Sequence, residues 1–399
     1  MDTALHMLTV GGLVVLSVLL KSATRRLGLS TVFAYLTLGV GLSLANHSAG
    51  WLDETGHHTL EFLGELGVFA LLFHVGLNSD LDSLIAYLGE ATPIWVGNMV
   101  FSGGAGWVVA RYLLDFGLVP SLFAAGALTA TSVGVSVAVW EENDRLKTPE
   151  GQLLVDVAEM DDLSGIIVMG LLLSIAPLLR NGYRQAADDG LWMTALGTTA
   201  WFFLKLLLFA AGCYLFSKYI EPTLTDWFES IEESPDPMIS IAGVGVVIAS
   251  IAALLGFSIA IGAFFAGLTY SRDPEAVQME ADFSALYDFF TPFFFIYIGL
   301  SVDPSALSTA WLPAGLLLAA AILGKYIGTV VGGVFSEASM SLIAVSMIPR
   351  AEIAMVIMQQ GQRLGDWAVP PQLFGGMVVV SMVTCLIVPL ALRGMFGEA

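Results

Sequence analysis

Residues 151–179 read GQLLVDVAEMDDLSGIIVMGLLLSIAPLL, and within them Asp161 and Asp162 stand side by side in a stretch apolar enough to cross a lipid bilayer. An ionised carboxylate at membrane depth is costly, so it faces a water-filled path or a partner and commonly marks an ion or proton pathway. If the helix starts near Gly151, Asp162 lies about 16 Å along it. That is close to the middle of a ~30 Å hydrocarbon core. Adjacent helical positions point about 100° apart, so the two carboxylates take different roles: one faces a cavity, the other a neighbouring helix. The plain alternative is a hydrated helix end, since Asp156 and Glu159 are acidic too. The depth of Asp162 favours a site that exchanges a proton for a metal cation.

The rest of the chain supplies the setting. It has 399 residues, 56% hydrophobic and only 13% charged, with a mean hydropathy of +0.80. A soluble protein of this length needs far more polar surface. Alternating strand patterns are absent, which excludes a β-barrel. Against 15 Lys and Arg stand 35 Asp and Glu. Acidic residues crowd the loops, as at Asp226, Glu229, Glu232, Glu233 and Asp236; they read as a solvated surface, or as a field gathering cations. The balance excludes nucleic acid as a partner. Cys213 and Cys385 lie in apolar runs and have no metal-ligand spacing. The first apolar run has no basic lead and no cleavage site, so it reads as a retained helix.

Thirteen candidate spans follow: 4–21, 30–45, 61–77, 91–114, 119–139, 151–179, 191–219, 237–254, 257–271, 286–301, 311–334, 339–360 and 371–395. The shortest fall below the ~20 residues of a perpendicular crossing, so they are broken or packed deep in protein. One side collects Lys21, Arg25, Arg26, Arg145, Lys147, Lys218, Arg272 and Arg393; the other collects Arg111, Arg180, Arg184 and Arg363. The richer side is expected in the cytoplasm, with the N-terminus outside and the C-terminus inside.

An internal repeat is visible. LFHVGLNSDLDSL at 72–84 matches FIYIGLSVDPSAL at 295–307, pairing Gly76 with Gly299 and Asp80 with Asp303. In the preceding spans Gly41-Leu42 pairs with Gly267-Leu268. The offset is seven spans, and an odd offset reverses the direction of crossing. The chain therefore reads as inverted-topology repeats, at about 30–179 and 257–395, joined by helices at about 191–254. Secondary transporters place their sites where such repeats meet.

Four further groups bear on the site. Lys325 lies mid-span in LAAAILGKYIGTVVGG (318–333), between Gly324 and Gly328. A buried ammonium needs a carboxylate, which makes the Asp161-Asp162 pair its expected partner. Lys205 is also mid-span and reads as a structural pair or a snorkelling side chain. LTATSVGVSV (128–137) packs four hydroxyls and a glycine into ten residues, the composition of a broken helix that offers oxygens to a cation. Small-residue packing is its plain alternative. MIPRAEIAMVIM (347–358) is broken by Pro349, with Arg350 and Glu352 expected to form an ion pair holding the break.

These residues together resemble the membrane domain of the monovalent cation:proton antiporter-2 family, the Kef-type and NapA-type exchangers. The resemblance covers essentially the whole chain as a single membrane domain, 1–399. It rests on Thr131-Ser132, Asp161-Asp162, GAFFAG at 262–267, IGLSVD at 298–303, Gly324-Lys325 and Pro349-Arg350-Ala351-Glu352. It implies an elevator, in which a core domain with two crossed broken helices slides against a dimerisation domain. Three departures stand out. Asp161-Asp162 replaces the usual Gln-Asp of the Kef-type systems, which favours the electrogenic sodium/proton branch. Ala351 replaces a common glycine. The sequence ends at Ala399 without the nucleotide-sensing domain of many Kef-type proteins.

The expected protein is thus an all-α, multi-pass, homodimeric transporter of the cell (inner) membrane with 13 transmembrane helices. It is not an enzyme, and it exchanges Na⁺ (or Li⁺) for H⁺ in pH homeostasis. Asp162 is the expected Na⁺ or proton carrier. Asp161 pairs with Lys325 when sodium is absent, and Thr131 and Ser132 add neutral ligands. No cofactor is expected; Na⁺ is the cargo, and membrane lipid surrounds the chain. The alternatives are a K⁺/H⁺ antiporter or Kef-like efflux system, a sodium-coupled organic-anion symporter, and an intramembrane aspartyl protease. The last rests on Tyr287-Asp288 and Leu364-Gly365-Asp366, where Arg363 breaks the second motif.

Overall fold

The computed structural model describes residues 2–79, 81–182, 190–224, 227, 237–271, 276–336 and 338–397. Asp80, Arg184, Arg272 and the acidic run from Asp226 to Asp236 lie outside them, Trp227 excepted. The described residues fold into helices: α1 (Asp2–Leu27), α2 (Thr31–Ala49), α3 (Glu54–Asn78), α4 (Leu81–Val108), α5 (Leu118–Thr129), α6 (Gly134–Glu142), α7 (Pro149–Gly182) and α8 (Gly190–Leu215). After them come α9 (Pro237–Leu254), α10 (Ile259–Tyr270), α11 (Ala276–Leu300), a single turn α12 (Pro304–Leu307), α13 (Trp311–Gly332), α14 (Met340–Ser346), α15 (Glu352–Arg363) and α16 (Pro371–Gly397). α4 and α8 each run on into one π-helical turn, Val109–Leu113 and Phe216–Ile220.

Local chemistry sets the ends. Gly50, at φ 58°, takes the left-handed position that closes α2 and donates its N–H to Asn46 O. Asp53 caps α3, its Oδ1 accepting from Gly56 N at 2.7 Å. Ser258 and Asp303 cap α10 and α12 in the same way. Each of the 13 marked segments contains helix. Among the described residues eight spans, counting α5 with α6 as one, are long and apolar enough to cross a membrane. α9 and α10 are shorter and apolar.

The distribution of side chains is that of a protein in lipid. Leu254 and Phe335 are 87% and 97% exposed, whereas Asp161, Lys325 and Arg350 are completely buried. Water would reverse that pattern; a hydrocarbon solvent produces it.

The chain divides into two compact units: residues 1–61, 82–169 and 295–399 form one, and 62–81 with 170–294 form the other. They are not the two expected sequence repeats. The first unit holds both interrupted helices, α5–α6 and α14–α15, one from each expected repeat.

Each unit contains the same kind of glycine crossing. In the first, a Cβ on Gly299 would lie 2.5 Å from Leu36 O and 2.7 Å from Val40 N, and one on Gly39 would strike Ile296 O and Gly299 Cα. In the second, a Cβ on Gly76 would meet Phe264 O and Leu268 N, and one on Gly267 would meet Phe73 O and Leu77 N. In every case the contacts fall on backbone around the opposing glycine. Only glycine allows backbones this close. The packing equivalent of Gly267 is therefore Gly39 and not Gly41, which has nothing within 4 Å. Matching Gly-Leu letters put the sequence register two residues off.

Candidate ion-binding site

The site lies in the first unit, where two interrupted helices meet. α5 ends at Thr129, and Ala130 turns to extended backbone (φ −66°, ψ 148°) before α6 begins at Gly134. α14 ends at Ser346, and the chain stays non-helical through Pro349 to Ala351 (φ −142°, ψ −92°). Pro349 has no N–H to donate and enforces that break. The breaks touch: Ser132 N donates to Pro349 O at 2.9 Å. Around them, Trp140 of α6 donates to Ser346 Oγ at 2.8 Å, and Ser136 Oγ donates to Ser346 O at 2.7 Å. A buried apolar cluster including Leu154, Val157, Ile343 and Met347 packs α7 and α14 beside Trp140.

α7 carries Asp161 to this crossing. Its Oδ2 accepts from Thr131 Oγ1 at 2.8 Å and from Lys325 Nζ in a fully buried ion pair. Its Oδ1 is buried and has no hydrogen-bond partner among the described residues. Lys325 is brought there by a seam of glycines. Cβ atoms on Gly324 and Gly328 of α13 would lie 2.7 Å from Ser102 Cα and 2.6 Å from Gly97 O of α4. One turn beyond the lysine, Thr329 donates to Asn98 Oδ1 at 2.9 Å. Asp162, the next residue of α7, is half-buried, not fully enclosed like Asp161. It lies in electrostatic reach of Glu352, Asp161, Glu159 and Lys325. The roughly 100° between neighbouring positions accounts for the split: Asp161 turns to Lys325, Asp162 to the more open side.

Arg350 and Glu352 correct the expectation of an ion pair at the break. The Arg350 guanidinium is fully buried and donates to Ala130 O, with Thr131 Oγ1 at 3.5 Å. Its own backbone is held by α16: Arg350 N donates to Thr384 Oγ1 at 3.2 Å, and Ser381 Oγ donates to Arg350 O. Glu352 opens α15, where its carboxyl is beside the Ser132 hydroxyl. Each charge therefore sits at a helix end of opposite sign. The guanidinium meets the carbonyl end of α5, and the carboxylate meets the amide end of α15. The break separates the two residues and gives each a half-helix terminus to neutralise.

The predicted set Thr131, Ser132, Asp161, Asp162, Lys325, Arg350 and Glu352 thus converges on one locus. Sequence reading caught Ser136 within the hydroxyl-rich stretch at 128–137 but missed the rest of the supporting ring, Trp140, Ser346, Asn98, Thr329, Ser381 and Thr384. Of these, only Thr329, one turn from Lys325 beside Gly328, carried a readable signal. Lys205 is elsewhere, donating to Leu255 O at 3.2 Å. Of the residues behind the protease alternative, Asp288 belongs to the second unit and Asp366 lies in a turn after α15.

A buried carboxylate with one oxygen tied down and one unsatisfied, flanked by a second carboxylate and two hydroxyls, suits a small hard cation or a proton. Comparison with known proteins agrees with this chemistry. The family model described as "Sodium/hydrogen exchanger, transmembrane" matches residues 12–396. A high-affinity Na⁺/H⁺ antiporter of Synechocystis, NhaS3, is 30% identical over 85% of this chain and 72% of its own length. A Na⁺/H⁺ antiporter of Enterococcus hirae is 30% identical over 93% of this chain and 92% of its own. Among solved structures, the sodium proton antiporter MjNhaP1 from Methanocaldococcus jannaschii at pH 8 superposes with a TM-score of 0.69 at 15% identity, covering 100% of this chain and 99% of that one. The fold is shared, and the sequence match runs through both interrupted helices and the carboxylate pair. This chain is a multi-pass membrane protein and belongs to the sodium/hydrogen exchanger family.

Proposed function

We propose that this chain is a secondary transporter exchanging Na⁺, or Li⁺, for H⁺, with Asp162 and Asp161 as the ion-carrying groups. The observation that carries the reading is the buried Asp161, held by Lys325 and Thr131 at the crossing of two interrupted helices, with Asp162 next to it on the more open side. The charges explain why cation and proton compete. Protonation of the carboxylates removes the charge that holds sodium, so cation and proton exclude one another from the same groups. A cluster left charged is costly to carry through an apolar interface, so the loaded forms cross and the empty one stays.

Sodium arriving at Asp162 draws on Asp161 and weakens its hold on Lys325. An ammonium without its carboxylate in a dry site gives up its proton. A second proton then moves with each sodium ion, and exchange is electrogenic. Ser132 and Thr131 add neutral oxygens. The larger frame of this reading is an elevator of 13 crossings and a homodimer, with core and dimerisation domains. It lies in the cell (inner) membrane with its N-terminus outside and C-terminus in the cytoplasm, and it serves pH homeostasis. The basic-residue count and the resemblance support that frame.

The test is transport in proteoliposomes loaded with a pH dye, with Na⁺, Li⁺ or K⁺ pulses at several valinomycin-set potentials. Wild type should move protons against Na⁺ and Li⁺, with a rate that depends on potential. Asp162→Asn should insert and fold but lose exchange. Equal or greater driving by K⁺ in sodium-free buffer, with the potential clamped by another ionophore, assigns the chain to K⁺/H⁺ exchange instead. Near-normal exchange by Asp162→Asn removes that residue from the mechanism.

A further inference from the structure

The second unit contains a groove that the exchange mechanism does not use. α10 packs against both α8 and α9 and leaves an open trough between those two helices. Its volume is about 400 Å³, and its walls are almost wholly apolar: Leu208, Phe209, Gly212 and Phe216 from the α8 segment, Ile248 and Ile251 from α9. From Lys205 to Phe216 it runs about 16 Å along the helix, at 1.5 Å per residue.

Among the described residues that line it, the ionisable side chains are Lys205, at its head, and the Cys213 thiol further along. The Lys205 ammonium donates to Leu255 O at 3.2 Å and lies 5.1 Å from the Phe257 ring centre. Among the described residues no carboxylate pairs with it. That is unusual in a chain with 35 acidic residues. A carbonyl and a ring face leave the charge uncompensated, with donors to spare. Although mid-span in the sequence, Lys205 reaches the loop where α9 ends and α10 begins, and Trp201, one turn earlier and 58% exposed, is the kind of residue that anchors at a membrane–water boundary beside lysine.

A cation without a carboxylate at one end, and a long apolar trough at the other, match one ligand chemistry. We propose that the groove binds one acyl chain of an anionic glycerophospholipid, with the lipid phosphate held by Lys205. The site is independent of the carboxylate cluster, and its occupancy does not depend on which cation the protein carries.

Gly212 makes this testable, because a Cβ there would meet nothing within 4 Å. Gly212→Leu therefore adds bulk to the trough from a backbone position whose first side-chain carbon strikes nothing. Gly197, on the same helix, is equally unobstructed but does not line the groove, so Gly197→Leu is the control. Native mass spectrometry of the full chain, titrated in detergent with dioleoyl phosphatidylglycerol, counts the first bound lipid. Wild type and Gly197→Leu should bind it alike, and Gly212→Leu should lose it. Lys205→Gln should bind about fivefold more weakly, the value of one lysine–headgroup interaction. Dioleoylglycerol, with the same chains and no phosphate, should bind wild type about as weakly. Melting in the same detergent checks each fold. Unchanged affinity in Gly212→Leu, or in Lys205→Gln, overturns the proposal. If Gly212→Leu does not fold, the lysine variant and the phosphate-free lipid decide it.

Discussion

The buried pair of Lys325 and Asp161 should respond asymmetrically to loss of either partner. After Asp161→Asn, Lys325 keeps a full charge-bearing group at a completely buried site whose other close cation is Arg350. Stranding one member of a buried pair costs about 3–5 kcal/mol. After Lys325→Gln, Asp161 still accepts from Thr131 Oγ1 at 2.8 Å and still feels Arg350. A hydrogen bond to a charged group recovers about 1.5–3 kcal/mol, so this variant should lose only about 1–3 kcal/mol. The double variant leaves neutral amides facing each other and strands no charge. It should be no less stable than Asp161→Asn alone, giving a coupling of about 2 kcal/mol or more. Unfolding in mixed micelles titrated with SDS, followed by circular dichroism, measures all four proteins. Additivity within about 0.5 kcal/mol, or equal losses for both single variants, would refute the reasoning. In liposomes, Lys325→Gln should keep Na⁺ binding but lose most of the voltage dependence of exchange. If the wild-type voltage dependence survives, lysine is a structural tie and carries no proton.

Three further outcomes follow from the packing and capping. Gly39→Ala should destabilise by about 1–3 kcal/mol, as overpacking does, because its Cβ would strike Ile296 O. Gly41→Ala, two residues away with nothing within 4 Å, should be neutral or stabilising, and melting in detergent distinguishes them. Arg350→Gln and Glu352→Gln should be additive within about 0.5 kcal/mol in the same unfolding assay, since each serves a different helix end. The Asp53 carboxyl is held below its ordinary value of 3.8, first by the Gly56 N–H and then by His6, at 2.9 Å. A carboxylate with a depressed folded value stabilises above its unfolded value, and that contribution is lost as pH falls through the folded one. Hydrogen-exchange protection at Gly56 should be high at neutral pH and drop below about pH 4; Asp53→Ala should abolish it at both.

What could be read from residues alone was the chemistry of single positions. Depth in an apolar run made Asp161 and Asp162 conspicuous, since burying a charge in hydrocarbon is too costly to be incidental. Pro349 and the hydroxyl-rich stretch around Thr131 announced interruptions because proline and small polar residues act on the backbone locally. Family membership was legible for the same reason: the motifs combine local features. The register of the expected repeat in the second span was not legible, because Gly39 and Gly41 differ only in what lies opposite them.

Tertiary structure decided the partnerships. Nothing along the chain distinguishes an Arg350–Glu352 pair, two residues apart, from two charges serving separate half-helices; the meeting of α5 with the second break settles it. Nor does spacing tell which aspartate takes the lysine. Asp161 takes it because the α4–α13 glycine seam delivers Lys325 to one face of α7, leaving Asp162 on the more open side. Sequence by itself determined which groups must be satisfied within the membrane, since that follows from solvation. Which groups satisfy them depended on helices far apart in the chain coming close enough to touch, and that is a property of packing alone.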